Sequence, residues 1–483
     1  MSKQVSFFLA GLILSLSLPL ALYIWLKQNP HLDHAVQAPA GHFQVVSAAA
    51  LLAALVAIAV GVAGRRLRNI QVTLLAMAFT SLSLIFSLHG LATPGFLLPP
   101  SQLPPMAAQL SVLVTAFWLW LSSRPGDHPL VGWMARRQGW LVQGWALLLV
   151  VAVGLLMWKP SLVSLIPVHS SPLKWAAMAV SLSFTLLAAR HYWTAYRYSR
   201  LPLQAAILHS SAWLAAAQVI ITTGVLWHLS WWLYHFLLLG SMLMMIVGLL
   251  AQYASGASLV AAVRGLFATD PVERIEAGVA PSIRRLVIET ERHDPYTAGH
   301  SYRVALYALQ LGQGMGLPPE KLRALAQGAI AHDIGKINLP GAILNKPGRL
   351  TPEERAVIEQ HPSSGHTMAK LLGFMQDELD IIRHHHERYD GTGYPDRLAG
   401  EQIPLLARIL AVADVYDALT SNRSYRQAWS HEQAMALIRE GAGTQFDPAC
   451  VAAWTRVMPE APQVDRYPAW LPEASKAIAV GSV

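Results

Sequence analysis

Between residues 300 and 414, the sequence concentrates histidine and aspartate, the side chains from which proteins build many transition-metal sites. Neutral imidazoles mixed with carboxylates suit Fe, Mn, Zn, Co or Ni better than Ca or Mg. Any one of these histidines alone would be more typical of a surface or capping position, but together they predict a metal centre. The set comprises His300, the pair His332-Asp333, His361, the run His384-His385-His386-Glu387, and Asp414.

A lysine accompanies the adjacent His332-Asp333 pair. The pair follows an apolar helix predicted over Leu322–Ile330, so both side chains can reach the centre of a helical bundle from one turn. Lys336 comes three residues after Asp333 and therefore shares its helical face. A cation at this position can neutralise a phosphate oxygen or assist a leaving group.

The elements that must position these residues are predicted to be helices. Apolar residues recur at helical spacing from about Ile283 to Val457, and no alternating strand pattern interrupts them. This half is therefore predicted to be an all-α bundle. Three segments are typical of helix starts and one of a loop, in the order Pro318-Pro319-Glu320, Thr351-Pro352-Glu353-Glu354, Ser430-His431-Glu432 and the loop Gly391-Thr392-Gly393-Tyr394-Pro395.

The ordered motifs of this half resemble the HD-GYP subgroup of the HD phosphohydrolase superfamily, over about Glu289–Val451. Two motifs carry most of the resemblance: His332-Asp333-Ile334-Gly335-Lys336, and the segment from His385 to Pro395 that ends in Gly393-Tyr394-Pro395. The supporting motifs are Tyr296–Val304, Lys346-Pro347-Gly348, His361-Pro362, Ala413–Thr420, Arg423–Arg426 and Phe446-Asp447-Pro448.

The resemblance implies a metal-dependent phosphodiesterase of bacterial cyclic di-GMP, which yields pGpG and often GMP. It implies two divalent metal ions, iron or manganese, with Asp333 bridging them and acting with Lys336 in catalysis. Some relatives bind a third metal through an upstream carboxylate, for which Asp294 is the candidate here. The implied ligands are His300, His332, Asp333 and Asp414 for one metal, and His361, His385 and His386 for the other.

The resemblance also implies how the substrate is bound. Arg423 and Arg426 would contact its phosphates, with Lys336 near the developing charge, because bidentate guanidinium contacts suit a doubly charged cyclic dinucleotide. Tyr394 is expected either to contact a base or to have only a structural role in the turn. Glu387 either orients a ligand histidine or is a solvated charge.

Two other functions remain open on the sequence alone. The domain could be a non-catalytic receptor. Its GYP loop would then bind either cyclic di-GMP or a diguanylate cyclase protein. It could also keep the metals and hydrolyse another cyclic dinucleotide or a nucleotide phosphate. The complete ligand set favours catalysis over the receptor.

The composition of the chain separates two halves. Of the 483 residues, 54% are hydrophobic and only 13% are charged, which excludes a disordered chain and argues against an ordinary cytosolic enzyme. Residues 1–258 hold 13 Lys or Arg and two acidic residues, whereas residues 259–483 hold 23 and 26. Because the polar half carries no basic stripe, no DNA or RNA partner is predicted. The single cysteine, Cys450, fits a reducing compartment.

The first half has the pattern of a polytopic membrane domain, since a bilayer core requires about 20 apolar residues per helix. Loops after the even-numbered spans and the N-terminus hold ten Lys or Arg, against three in the other loops. This bias predicts that both termini lie in the cytoplasm. Eight spans are predicted, near Phe7–Leu26, Phe43–Ala63, Val72–Leu91, Pro105–Ser122, Trp140–Trp158, Leu173–Ala189, Gln204–Trp227 and Trp231–Tyr253.

The predicted domain order is membrane sensor, linker helix, catalytic domain and tail. The corresponding ranges are 1–258, 259–292, 283–457 and 458–483. The linker is predicted to begin at Asp270-Pro271 and run to Arg292, where it could support a homodimer. The first span could alternatively be a cleaved signal, with Ala38-Pro39-Ala40 as the cleavage site, but its long apolar run favours a retained anchor in the bacterial inner membrane.

Several histidines fall on the predicted outer side of the membrane half. They have two interpretations, a metal, haem or pH sensor, or interfacial polar residues at loop and helix ends. No short ligand spacing links them, so the second interpretation is preferred. They are His31, His34, His42, His89, His169, His228 and His235.

Overall fold

The chain forms two compact units, Met1–Asp270 and Pro271–Val483. The computed structural model describes residues 3–67, 69–94, 101–124, 128–254, 279, 281–294, 299–421, 427–462, 464, 467 and 471. Apart from isolated β-bridges, these residues form helices and connecting loops without a β-sheet. The predicted all-α fold class is therefore confirmed.

The N-terminal unit consists of long helices joined by short connections. Its described helices are α1 (Lys3–Gln28), α2 (Pro39–Leu67), α3 (Ile70–Leu91), α4 (Leu103–Ser122), α5 (Pro129–Ala135), α6 (Gln138–Trp158), α7 (Leu173–Ser199), α8 (Pro202–Thr223) and α9 (Leu229–Ala254). A 3₁₀-helix, Pro160–Leu165, follows α6.

Seven of the described helices are long and apolar enough to cross a membrane, namely α1, α2, α3, α4, α6, α8 and α9. A helix also occupies the sixth predicted span, because α7 covers Leu173–Ser199, but it is not among these seven. Its sequence includes Lys174, Arg190 and Arg197, so the apolar character is weaker than in its neighbours. Seven of the eight predicted spans are thus candidate membrane helices by length and hydropathy, and α7 occupies the position of the remaining one.

The helices of this unit differ in how much surface they bury. Helix α3 is buried along most of its length and packs against α2 and α4. Helices α1 and α6, in contrast, expose large apolar side chains such as Leu18, Trp25, Leu147 and Trp158. Continuous apolar surface of this extent is typical of a surface that contacts lipid.

The C-terminal unit is a bundle of shorter helices. Its described helices are α10 (Pro281–His293), α11 (His300–Gly314), α12 (Pro319–Ala331), α13 (Gly341–Leu344), α14 (Pro352–Ile358), α15 (His361–Leu371), α16 (Gln376–His384), α17 (Leu405–Thr420), α18 (His431–Glu440) and α19 (Pro448–Val457). Two 3₁₀-helices, Ile334–Asn338 and Gly400–Gln402, lie in the connections.

Predicted helix starts of this unit are found where the sequence indicated them. Helix α14 begins with a capping box, in which the hydroxyl of Thr351 accepts the backbone N–H of Glu354. Helix α18 begins in the same way after Ser430. The start of the predicted linker helix at Asp270-Pro271 lies outside the described residues, and α10 contains its C-terminal part.

The core of the bundle is formed by the apolar faces of α11, α12, α16 and α17. Ile330, Ile381, Ile409 and Ala413 are fully or almost fully buried there and belong to one hydrophobic cluster. Burying each of the three isoleucine side chains contributes about 1.5–3 kcal/mol. The packed core therefore fixes the helix ends from which the predicted metal ligands project.

Candidate metal centre

The predicted ligands lie mostly at the ends of helices. His300 and His361 are the first residues of α11 and α15, and His332 directly follows α12. His385 directly follows α16, whereas Asp414 lies inside α17. Because helix ends of one bundle meet at its centre, residues distant in the sequence converge without any long loop.

Asp333 lies between two groups of imidazoles. Its Oδ2 atom is 3.4 Å from Nε2 of His332 and 3.9 Å from Nε2 of His300. Its Oδ1 atom is 3.4 Å from Nε2 of His361 and 3.9 Å from Nε2 of His385. The two oxygens of one carboxylate thus face different sets of ring nitrogens.

The remaining predicted ligands complete the two groups to different degrees. His386 joins Asp333, His361 and His385 in a group whose ligating atoms all lie within 4.8 Å of one another. Asp414 reaches the other group through Oδ1, which is 3.2 Å from Nε2 of His300. Among the described residues, however, that second close group comprises only His300, His332 and Asp333.

The four innermost histidines are oriented in the same way, by a hydrogen bond at the ring nitrogen that faces away from the site. The Nδ1–H groups of His332, His361 and His385 donate to the carbonyls of Ala329, Ile358 and Ile382, at 2.7, 2.8 and 2.9 Å. Nδ1 of His300 is 2.7 Å from Oδ2 of Asp417. A carbonyl can only accept, so Nε2 of the first three neutral rings carries the lone pair needed for a metal.

Asp417 contacts the predicted ligand His300, and the sequence analysis did not single it out. Besides His300, it contacts Arg303, whose Nε lies 2.7 Å from Oδ1 and whose Nη2 lies 2.9 Å from Oδ2. Asp417 is buried and follows Asp414 by three residues on α17. That helical spacing was the available signal, because it puts both carboxylates on the same face.

The charges of the site strongly perturb its titrating groups. Burial opposes the charged ring of His300, but hydrogen bonds with Asp414 and Asp417 raise the pKa of His300 to about 9. Burial also opposes ionisation of Asp333, yet the Lys336 ammonium and the His332 ring hold the pKa of that carboxyl well below its usual range. Burial and the neighbouring His361 lower the pKa of His386 to about 3.

Lys336 is paired with carboxylates rather than free. Its Nζ atom lies 2.7 Å from Oδ2 of Asp333 and 3.4 Å from Oδ2 of Asp294. Lys336 therefore lies close to Asp333, as the sequence predicted, although the residues that follow Asp333 form a 3₁₀-helix rather than an α-helix. Asp294, the candidate ligand of a third metal, belongs to neither close group of ligating atoms within the described part of the chain.

The Gly393-Tyr394-Pro395 segment forms a loop beside the site. The ring of Tyr394 lies 4.9 Å from the ring of His386. Glu387 is buried and accepts the backbone N–H groups of Asp396 and Leu398, at 2.7 and 3.1 Å. Glu387 thus fixes the loop, a role that differs from both interpretations made from the sequence.

The predicted phosphate contacts lie outside the described residues. Arg423 and Arg426 belong to the segment 422–426, of which the structure gives no description. The remaining predicted substrate-binding residues, Lys336 and Tyr394, both lie beside the two groups of histidines.

A comparison with protein families identifies the bundle. Residues 287–450 match the family model described as HD domain. This range includes the His332-Asp333 pair and the Gly393-Tyr394-Pro395 loop that contacts His386. Residues 287–450 form an HD domain of the HD-GYP type. Its histidine and aspartate groups are able to hold metal ions.

Curated relatives of the HD domain are bacterial phosphodiesterases. A cyclic di-GMP phosphodiesterase response regulator of Xanthomonas campestris is 41% identical over 189 residues, which cover 38% of this chain and 50% of the relative. A cyclic di-GMP phosphodiesterase of Pseudomonas aeruginosa is 40% identical over 196 residues, which cover 40% and 47%. A 3′3′-cGAMP-specific phosphodiesterase of Vibrio cholerae is 37% identical over 164 residues, which cover 34% and 36%. The chain spans half or less of the length of these relatives.

Proposed function

We propose that this protein is a membrane-bound sensor phosphodiesterase whose HD domain hydrolyses cyclic di-GMP to pGpG, GMP or both. The observation that carries the proposal is Asp333, whose two carboxylate oxygens face two separate groups of imidazole nitrogens. Similar proteins named cyclic di-GMP phosphodiesterases support the choice of substrate.

The donor set fits two divalent metal ions, with iron or manganese as the expected metals. Asp333 would bridge them, because its oxygens point in two directions from one buried position. When bound, such a pair lowers the pKa of a shared water and neutralises charge on a phosphate. The ligands would be His300, His332, Asp333 and Asp414 for one ion, and His361, His385, His386 and Asp333 for the other.

The side chains of the HD domain prepare the site in two ways. The Lys336 ammonium keeps Asp333 ionised and oriented, and it adds a positive charge where the phosphate would bind. Arg423 and Arg426 would clamp the phosphates of a cyclic dinucleotide, and Tyr394 would contact a base at the rim. The Glu387 carboxylate holds the loop that carries Tyr394.

The other half of the protein would sense a signal. The seven apolar helices and α7 would together cross the bacterial inner membrane eight times, so the HD domain would lie in the cytoplasm, on the same side as the N-terminus, with the segment 259–292 as the linker. A stimulus in the membrane domain would act on hydrolysis through this linker. A second copy of the chain and diguanylate cyclase domains are the proposed protein partners.

The experiment is turnover by the full chain, purified in detergent and loaded anaerobically with Fe²⁺ or Mn²⁺. We expect loss of cyclic di-GMP with formation of pGpG or GMP, measured by chromatography. Asp333→Ala should abolish turnover and reduce the metal content, since it removes the bridging carboxylate. Asp377→Asn is the matched control, because Asp377 pairs with Lys321 at the surface, away from the site.

A second candidate substrate is 3′3′-cGAMP, which the cGAMP-specific relative of Vibrio cholerae supports. Side-by-side turnover of both dinucleotides by the same preparation distinguishes the two. If kcat/KM is higher for 3′3′-cGAMP than for cyclic di-GMP, then 3′3′-cGAMP is the preferred substrate and the first proposal is wrong. Binding of cyclic di-GMP without turnover of either compound, in metal-loaded protein, would instead establish the non-catalytic receptor.

A further inference from the structure

Three buried histidines of the N-terminal unit converge on one point. They come from three different helices, with His42 on α2, His89 on α3 and His235 on α9. Nε2 of His42 lies 3.0 Å from Nε2 of His89 and 2.8 Å from Nε2 of His235. The Nε2 atoms of His89 and His235 are 3.3 Å apart. Each of the three lies within two turns of a helix end, but all three rings are buried, so they form a shielded cluster rather than separate interfacial residues.

Hydrogen bonds on the outer side fix the protonation of two rings. His89 Nδ1 lies 2.8 Å from the carbonyl oxygen of Pro104, which can only accept, so Nδ1 carries the proton. The Thr93 hydroxyl donates to the carbonyl of Gly90 and therefore accepts from Nδ1 of His42, at 2.8 Å. The neutral rings of His42 and His89 consequently direct the lone pairs of Nε2 towards each other.

This arrangement is one that a metal ion can bind. Two nitrogen lone pairs 3.0 Å apart repel each other, and without a metal each pairs with a different donor, Nε2 of His42 with the Nε2–H that His235 can offer and Nε2 of His89 with the Tyr234 hydroxyl. A cation between the rings interacts favourably with three lone pairs at once. With Zn–N distances of about 2.0–2.1 Å, tetrahedral ligands lie about 3.3 Å apart. The observed spacings of 2.8–3.3 Å therefore need only small ring movements.

We propose that His42, His89 and His235 bind one transition-metal ion in the N-terminal unit. Three neutral imidazoles suit Zn, Cu, Ni or Fe, and not Mg or Ca, which take oxygen ligands. The outer hydrogen bonds from Nδ1 repeat, in an unrelated helical unit, the way in which the HD domain orients His332, His361 and His385.

The surroundings leave one side of the cluster accessible. A cavity of about 440 Å³ is lined by His42 and His89 together with Gln102, Trp227 and Tyr234. The Tyr234 hydroxyl is 3.0 Å from Nε2 of His89 and can donate to it; a metal bound to this nitrogen would take its place and leave the hydroxyl able to donate to a further ligand of the metal. Three protein ligands with an open fourth position are typical of sites that exchange a small ligand. The site therefore has room for a small molecule on the metal.

The test measures metal binding in the full chain, purified in detergent through a tag that lacks histidine. Metal binding in the HD domain is suppressed by working in an Asp333→Ala chain that also carries His332→Gln and His385→Gln, because neither of its two groups then keeps three ligating side chains, and bound metal is first stripped with a chelator. On titration with Cu²⁺, we expect one tightly bound ion per chain, with nitrogen hyperfine splitting in its electron paramagnetic resonance spectrum. His89→Gln or His235→Gln should weaken binding at least tenfold.

His209→Gln is the matched control, because His209 is a half-buried histidine of the same unit that bonds to Ser15, outside the cluster. It should keep the bound ion and its spectrum. The Asp333→Ala chain keeps all three histidines of the cluster. Its spectrum therefore tests the proposal even if the His89→Gln and His235→Gln variants fail to fold. Absence of a nitrogen-coordinated ion from that chain would overturn the proposal, as would an unchanged affinity and spectrum in folded His89→Gln protein.

Discussion

At the scale of single residues, other buried side chains of the HD domain hold the predicted metal ligands in position. Asp417 orients His300 and is itself held by Arg303, and all three are buried. A carboxylate behind a ligand imidazole fixes the ring and raises its basicity, and such partners contribute about 10–100-fold to metal affinity. The function of Asp417 would therefore be positioning.

We predict that Asp417→Asn lowers the metal affinity of the HD domain by about 10–100-fold. The amide keeps the size of the side chain but removes the charge that pairs with Arg303 and His300. Activity measured against Mn²⁺ concentration should shift to higher metal and recover at saturation. Asp377→Asn should follow the wild-type curve, and an Asp417→Asn protein that no concentration of metal rescues would contradict the positioning role.

The raised pKa of His300 predicts that metal binding releases a proton. Its ordinary pKa is about 6.5, whereas the metal-free protein raises it to about 9, so the ring is protonated at pH 7. A histidine ring must lose this proton before its nitrogen can bind a metal. Affinity for the first ion should therefore increase up to about tenfold per pH unit between pH 7 and pH 9, and level off above it.

Calorimetric titration in buffers of different ionisation enthalpy measures this proton. About one proton should be released at pH 7 and almost none at pH 10. His386, whose pKa is lowered to about 3, is already neutral and should release none at either pH. Metal binding at pH 7 without proton release would show that His300 does not titrate in this way.

At the scale of elements, two backbones meet at the site. Gly335, in the 3₁₀-helix after Asp333, lies against the first turn of α15, which begins with His361. A Cβ at Gly335 would overlap the carbonyl of His361 and would lie 2.6 Å from the backbone nitrogen of Gly365. Only glycine permits this approach, which sets the distance between Asp333 and His361.

We predict that Gly335→Ala forces the 3₁₀-helix and α15 apart. The overlap is with backbone, so it should cost about 1–3 kcal/mol of folding stability, and metal content should decrease because Asp333 and His361 separate. Gly341→Ala is the matched control, since the nearest atom to its Cβ would be 3.6 Å away. Thermal unfolding and elemental analysis measure both effects. Wild-type metal content in Gly335→Ala would mean that this contact does not set the site.

Elements also explain which parts of the site could be predicted from the sequence. The pair His332-Asp333 and the run His385-His386 lie in recognisable local motifs, so both could be singled out from the sequence, and the helix end at His332 followed from the apolar pattern before it. The cluster of His42, His89 and His235 has no local pattern, because packing of three helices brings its members together. Helix packing, unlike helical periodicity, depends on contacts between residues that are distant in the sequence.

At the scale of the whole molecule, the single cysteine is useful for mapping topology. Cys450 is fully buried, and burial raises the pKa of its thiol to about 12. The thiolate is the reactive form, so Cys450 should react very slowly with maleimides in the folded protein. The unmodified chain therefore provides a nearly unreactive background for engineered cysteines.

We predict that Gln37→Cys reacts with a membrane-impermeant maleimide on intact spheroplasts, whereas Gly139→Cys reacts only after lysis. Both positions are exposed and uncharged, so these substitutions leave the distribution of Lys and Arg unchanged. Gln37 lies in the connection after the first apolar helix, and Gly139 lies in the first turn of α6, next to Arg136 and Arg137. Because positively charged loops stay in the cytoplasm, the two cysteines should be on opposite sides. Labelling of Gly139→Cys before lysis would show the opposite orientation. The HD domain would then lie outside the cytoplasm, without access to a cytoplasmic nucleotide.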